Sequence, residues 1–251
     1  MTKKMIYCIL DTEDNQESVA NVLLRISSDF LLSLESVSYS NITAILATHS
    51  DDPTFDLKSD ALRFASVIDA FAKIYTLLPV RYGSLILSSD TALSLIQNNY
   101  ESLKAALEKV ANKDEYSIRV LRAPITSYDG TSYEKIENVN SSIHHSLVGD
   151  SVYKQYLQKK YKEHLIDEIQ LEHDDTIKNV ITAGLENITK YIEYKNLKSP
   201  LFILDAAVLV EKDSKENLIS FFKKMQGLFP DLNMMLTGPW PPYNFAQMVI
   251  K

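Results

Sequence analysis

Residues 232–245 read LNMMLTGPWPPYNF, and what this stretch can be decides the fold. Leu232–Gly238 has the apolar, strand-forming composition of a closing β-strand. Directly behind it come Pro239, Pro241 and Pro242, three of the chain's eight prolines, together with the sole tryptophan, Trp240. Proline fixes φ and removes a backbone donor, so none of the three suits a helix interior or a central strand. Residues that precede proline are pushed toward extended backbone. The segment is therefore stiff, extended and aromatic: a lid over a core, or a surface for a partner. Of the two we expect the lid, with Trp240 and Tyr243 folded back over a sheet face and the prolines setting the path, because rigid prolines lower the entropy of fixing a terminal segment.

Working backward from that strand, Leu218, Phe221, Phe222 and Met225 recur at helical spacing, between an Asp213/Glu216 capping pair and a Gly227 stop. PLFILDAAVLVEK (residues 200–212) supplies one long strand or two short ones, and EYSIRVL (115–121) another. Between these lie two predicted helical segments, 151–172 and 174–195. The second carries a heptad seam of Ile177, Ile181, Gly184, Ile188, Tyr191 and Lys195, the pattern of a helix paired along its length. We read 151–195 as an antiparallel helical hairpin, with Asp174-Asp175 capping its second arm. Tyr153, Tyr156 and Tyr161 crowd its first arm, suiting either an interface or a half-buried face.

The first half runs in the same order. MIYCIL (5–10) reads as a buried strand, then a helix follows with Val19, Val22, Leu23, Ile26 and Phe30. Two β-rich stretches flank a turn at Ser40-Asn41. A helix striped by Phe64, Val67, Ile68, Phe71 and Leu78 must stop at Pro79, and another spans Ser89 to Val110. Strand, helix, strands, helix and closing strand is the order of a ferredoxin-like α+β sandwich, and it occurs twice. We therefore expect an α+β protein of two domains. Residues 1–113 form an N-terminal α+β sandwich, and 114–251 a C-terminal ferredoxin-like domain elaborated with long helices. Residues 123–150, rich in Ser, Asn, Tyr and Gly without a period, read as a long loop.

Composition narrows the function. The chain has 251 residues, 45% apolar and 24% charged, which suits a folded soluble protein. A net charge of −7 argues against nucleic-acid binding, which draws its affinity from clustered Lys and Arg. No run of eighteen apolar residues exists to cross a membrane. Nothing after MTKKMIYCILD resembles a cleavage site, so we expect a cytoplasmic protein. Cys8 is alone and reads as a buried spectator.

Catalytic signatures are missing. There is no GxGxxG, P-loop, HExxH, GxSxG or CxxC. His144-His145 are adjacent in a polar stretch and read as solvated, as do His164 and His173, so no metal or cofactor is expected. Arg81, in LLPVRYGS, is held between a proline and a glycine. Such an arginine pairs with a buried carboxylate or caps carbonyls, or else meets a partner.

LLPVRYGS followed by a long helix, then LDAAVLV, then LTGPWPPYNF, resembles the GvpL/GvpF family of gas vesicle proteins. The string Gly238, Pro239, Trp240, Pro241, Pro242, Tyr243, x, Phe245 carries most of that resemblance. Arg81, Tyr82 and Gly83 form a looser second motif, since members usually have Phe where Tyr82 stands. No motif aligns around 140–175. The resemblance implies a protein without catalytic activity, located at the gas vesicle: an accessory or minor structural component that binds the small apolar shell subunit and other accessory proteins during nucleation and assembly. Strand addition at a sheet edge or a helix docked in a groove would serve equally. The rival reading is a ferredoxin-like enzyme or small-molecule sensor with a pocket between sheet and helices.

Overall fold

A computed structural model describes residues 3–13, 17–30, 33–48, 57–122, 152–196, 199 and 201–246, with the side chains of 57, 152–159 and 162–170 left aside. The first part of the chain runs β1 (Lys4–Asp11), α1 (Val19–Phe30), β2 (Leu34–Tyr39), β3 (Ile42–Thr48), α2 (Leu57–Ala72) and β4 (Leu77–Pro79). A short β5 (Leu85–Ile86), α3 (Ser89–Asn98) and α4 (Tyr100–Val110) follow. The second part runs β6 (Lys113–Arg122), α5 (Val152–Glu186), β7 (Ile192–Tyr194), β8 (Phe202–Glu211), α6 (Lys215–Leu228) and β9 (Leu232–Trp240).

The strands form two antiparallel sheets, so the protein is α+β. Their spatial orders are β2-β3-β1-β4 and β7-β8-β6-β9, with β5 paired to the start of β1. The wiring is the same twice: the first strand of each set lies between the third and the fourth. β1 can be apolar without a break from Met5 to Leu10 because both sheet faces are covered. Tyr7, Cys8 and Leu10 face α1 and α2, whereas Ile6 and Ile9 face α3 and α4. A register shift between Ile6 and Cys8 lets neighbouring Tyr7 and Cys8 share a side.

The cluster under α3 and α4 does not end at the first sheet. Leu103, Leu107 and Val110 of α4 share it with Ala207 and Leu209 of β8 and with Phe245. The opposite face of the second sheet (Tyr116, Ile118, Val208, Val210) buries Ile177, Ile181 and Leu185 of α5 and Leu218 and Phe222 of α6.

The helical hairpin expected over 151–195 is not formed. Val152–Glu186 is one helix of 35 residues, about 50 Å long at 1.5 Å per residue. No proline interrupts it, and Asp174 does not cap anything. Its carboxylate accepts from Nε of Arg122 at 2.9 Å, tying mid-helix to β6. Seam residues Ile177 and Ile181 therefore turn toward the second sheet and α6 rather than toward a partner arm. The closing helix also departs from expectation: a 3₁₀ turn at Lys212–Ser214 takes the place of an Asp213 cap, and α6 runs through Gly227 to Leu228. The loop expected over 123–150, with His144 and His145, lies outside the described residues, as do the side chains of Tyr153, Tyr156 and His164.

Candidate functional site

β9 is an edge strand, which is why it tolerates Pro239. Its first residues alternate as expected: Met234 is buried and Leu236 half-buried against Tyr116 and Ile118, while Asn233, Met235 and Thr237 point away. Regular pairing would continue that alternation and turn Trp240 inward. Instead Ser117 pairs with Thr237 but Glu115 pairs with Trp240, so β9 carries one extra residue, a β-bulge. One residue of slip exchanges the faces of a strand. Trp240 consequently joins Thr237 on the outer side, its Nε1–H donating to Thr237 Oγ1 at 3.4 Å, and is 47% exposed. Gly238 makes this path possible. Its φ is +130°, and a Cβ there would sit 2.7 Å from the Glu115 carbonyl oxygen. The Gly238–Pro239 peptide is cis.

The lid exists, but its members differ from those expected. Pro241, Pro242, Phe245 and Ala246 are buried, Phe245 at 6% exposure within the cluster shared by α4 and β8. Of the two residues expected as the lid, Trp240 is turned outward by the bulge, whereas Tyr243, between the buried pair Pro241-Pro242 and buried Phe245, leaves part of its ring exposed and buries its hydroxyl. Backbone bonds from Tyr243 to Pro241 and from Ala246 to Pro242 curl the segment into a turn.

A buried carboxylate latches that turn. Glu115, 3% exposed, accepts from the backbone N–H of Asn244 at 2.8 Å and from the Asn244 side-chain amide. Burial pushes its pKa above the usual carboxylate range, and the two Asn244 bonds and the charge of Lys195 oppose that rise. Tyr243, although 40% exposed as a residue, has its hydroxyl pushed up to about 12, by burial first and then by the Asp69 carboxylate.

Trp240 and the prolines form one wall of a cleft of roughly 500 Å³. Ala72 and Thr76, around the end of α2, and Lys113 and Asp114, at the start of β6, line the remainder. Asp69, also on the wall, has its pKa raised by burial against the opposing pull of Lys73. Lys113 is taken by Glu211 at 3.1 Å. Among the described residues no group of His, Cys, Asp and Glu could hold a metal ion, and no helix is long and apolar enough to cross a membrane.

A scan of protein families matches residues 4–247 to the family described as gas vesicle synthesis protein GvpL/GvpF. The chain belongs to the GvpL/GvpF family. Among curated relatives it is 21% identical to gas vesicle protein L1 of Halobacterium salinarum, over 99% of this chain and 92% of that one. Its fold is similar to the crystal structure of GvpF from Anabaena sp. PCC7120, with a TM-score of 0.69 at 16% identity, covering 99% of this chain and 97% of that one. GvpF from Microcystis aeruginosa gives 0.68 at 15% identity, over 99% and 100%.

The second stretch that carries the GvpL/GvpF resemblance stands elsewhere. Arg81–Ser84 is a tight turn closed by a Ser84 N–H to Arg81 carbonyl bond of 3.1 Å, with Gly83 at φ +85°. Tyr82 packs edge-on against Phe64 of α2 at 5.2 Å and donates to Asp60 at 2.6 Å. That bond, more than burial, pushes the Tyr82 hydroxyl up to about 12. Arg81 is exposed and makes no ion pair among the described residues. The turn meets the first turn of α2 while the proline segment meets its end, about 13 Å away for nine residues of helix. The structure thus brings Gly238, Pro239, Trp240, Pro241, Pro242, Tyr243 and Phe245 into one site and leaves Arg81, Tyr82 and Gly83 outside it.

Glu115, Asn244 and Asp69 are the members that sequence reading missed. The one available signal was a glutamate beside the apolar positions Tyr116, Ile118 and Val120 of a strand, with a donor-poor segment elsewhere in the chain.

Proposed function

We propose that this gas vesicle family member is an accessory or minor structural protein, without catalytic activity, that binds the small apolar shell subunit and other vesicle proteins while vesicles nucleate and assemble. The observation that carries the reading is the pair of exposed aromatic rings, Trp240 and Tyr243, mounted on a segment held from beneath by Pro241, Pro242 and Phe245. Exposed aromatics on a rigid backbone contact a partner at little conformational cost. The outer edge of β9 offers unpaired backbone beside them, which suits strand addition by an extended partner. A subunit that builds a wall against gas carries apolar surface needing such a receiver until it is incorporated.

In this reading residues 1–113 and 114–251 act as two ferredoxin-like units that share the cluster around α4 and hold the segment between them. The place of work is the gas vesicle and the cytoplasm in which it is built. The rival reading, an enzyme or sensor, would draw on the cleft beside Trp240. It is weakened by Lys113 of that cleft being engaged by Glu211.

Co-expression with the shell subunit, followed by native pull-down, tests the proposal. Capture of the subunit is expected. Failure to recover any vesicle protein at native salt overturns it.

A further inference from the structure

Three lysines from three separate elements converge on one ring. The Nζ atoms of Lys109 in α4, Lys113 in β6 and Lys190 between α5 and β7 lie 5.8, 5.7 and 5.2 Å from the centre of the Tyr191 ring. No two of them can then be farther apart than about 12 Å, close to the ~8–10 Å over which salt screens a charge. A ring attracts a cation over each face, but three ammonium groups around it repel one another. Among the described residues only Lys113 of the three is neutralised, by a bridge to Glu211 at 3.1 Å. Lys109, also 5.5 Å from the Phe245 ring, and Lys190 meet no carboxylate among the described residues. This local excess of positive charge sits on a chain whose net charge is −7. Past Lys113 lies the cleft, where Lys73 and Lys212 are offset by Asp69 and Asp114, so the excess is centred on the Tyr191 ring.

We propose that the lysine cluster on Tyr191, at the rim of the cleft, docks an acidic segment of a partner protein whose side-chain carboxylates engage Lys109 and Lys190 as Glu211 engages Lys113. The inference rests on the reading that this protein works by holding partners, and it adds the chemistry of one partner segment. Three point charges spread around a ring suit several separate carboxylates. Bidentate recognition of a single phosphate favours a guanidinium fork, which this cluster lacks, whereas lysines act as separate point charges. Exposed ion pairs are individually weak, so the segment must present several carboxylates and its binding must fall steeply with salt.

The chain carries its own reporter, since Trp240 is the sole tryptophan and lines the cleft beside Lys113. A hexaglutamate peptide is titrated against the full chain by tryptophan fluorescence. Saturable binding is expected, lost by about 0.5 M salt and weakened roughly tenfold in the double variant Lys109→Gln, Lys190→Gln. The double variant Lys223→Gln, Lys224→Gln on α6 serves as control and leaves binding unchanged; thermal melts confirm that all variants fold. Absence of saturable binding overturns the proposal, as does equal binding by the Lys109/Lys190 variant. So does inorganic triphosphate or orthophosphate binding at lower concentration than the peptide. If hexaglutamate fails while the co-expression pull-down still captures vesicle proteins, only the acidic docking site is lost. If hexaglutamate binds as expected and the pull-down fails, the shell-binding reading is lost instead.

Discussion

The two short stretches that carry the family resemblance each place a glycine at positive φ, and there the likeness ends. At Arg81–Ser84 the turn points its aromatic inward: Tyr82 lies on Phe64 and bonds Asp60, and the glycine beside it has open space around it. At Gly238–Phe245 the glycine is pressed against the backbone of β6, and the aromatic side chains are divided. Phe245 enters the core while Trp240 and part of the Tyr243 ring remain exposed. The first turn needs glycine only for its dihedral. The second needs it for space as well, because the bulge that exposes Trp240 brings β9 against Glu115. Similar composition thus yields a structural corner in one place and a presented surface in the other.

Substitutions can break that contrast. The largest effect is expected for Phe245→Ala, which empties a core position where α4 and β8 meet. A loss of about 3–5 kcal/mol in urea unfolding is expected, as for other buried aromatic truncations. Gly238→Ala combines a strained dihedral with a clash against backbone, and should cost about 2–4 kcal/mol. Gly83→Ala meets only the dihedral penalty, so about 1 kcal/mol is expected in the same assay. Equal losses at the two glycines would erase the distinction.

Glu115 sharpens the contrast through pH. Its folded pKa is raised above the ordinary carboxylate value, so the native state holds its proton more tightly than the unfolded chain does. Its contribution to stability is fully present below the ordinary carboxylate range and is lost as pH rises through the raised folded value. Urea midpoints of Glu115→Gln, compared with the parent across that window, should lack this slope. An unchanged slope would mean that Glu115 is not the buried titrating group of the latch.

How much of this was legible beforehand follows from what sequence patterns encode. β1, β8 and the closing helix stripe Leu218, Phe222 and Met225 were readable because burial imposes a period or a continuous apolar run. The order of elements was readable only in part: Leu77–Pro79, expected as the end of a helix, is strand β4, and Ile192–Tyr194, expected within the 174–195 helix, is strand β7. Two further features were not readable. Asp174-Asp175 has the composition of a helix cap, and only the approach of Arg122 from a distant strand turns it into a mid-helix anchor. Trp240 has the composition of a lid, and only pairing with β6 shows the extra residue that reverses its side. Both depend on contacts between remote segments, which local propensity does not carry.

Trp240 itself should be the least consequential of these residues for stability and the most consequential for binding. Trp240→Ala, co-expressed with the shell subunit, is therefore measured by thermal melting and native pull-down on the same preparation. The account predicts a melting temperature within about 2 °C of the parent, as for a surface substitution, together with loss of capture. Undiminished capture, or a melting temperature lowered as far as by Phe245→Ala, would contradict it.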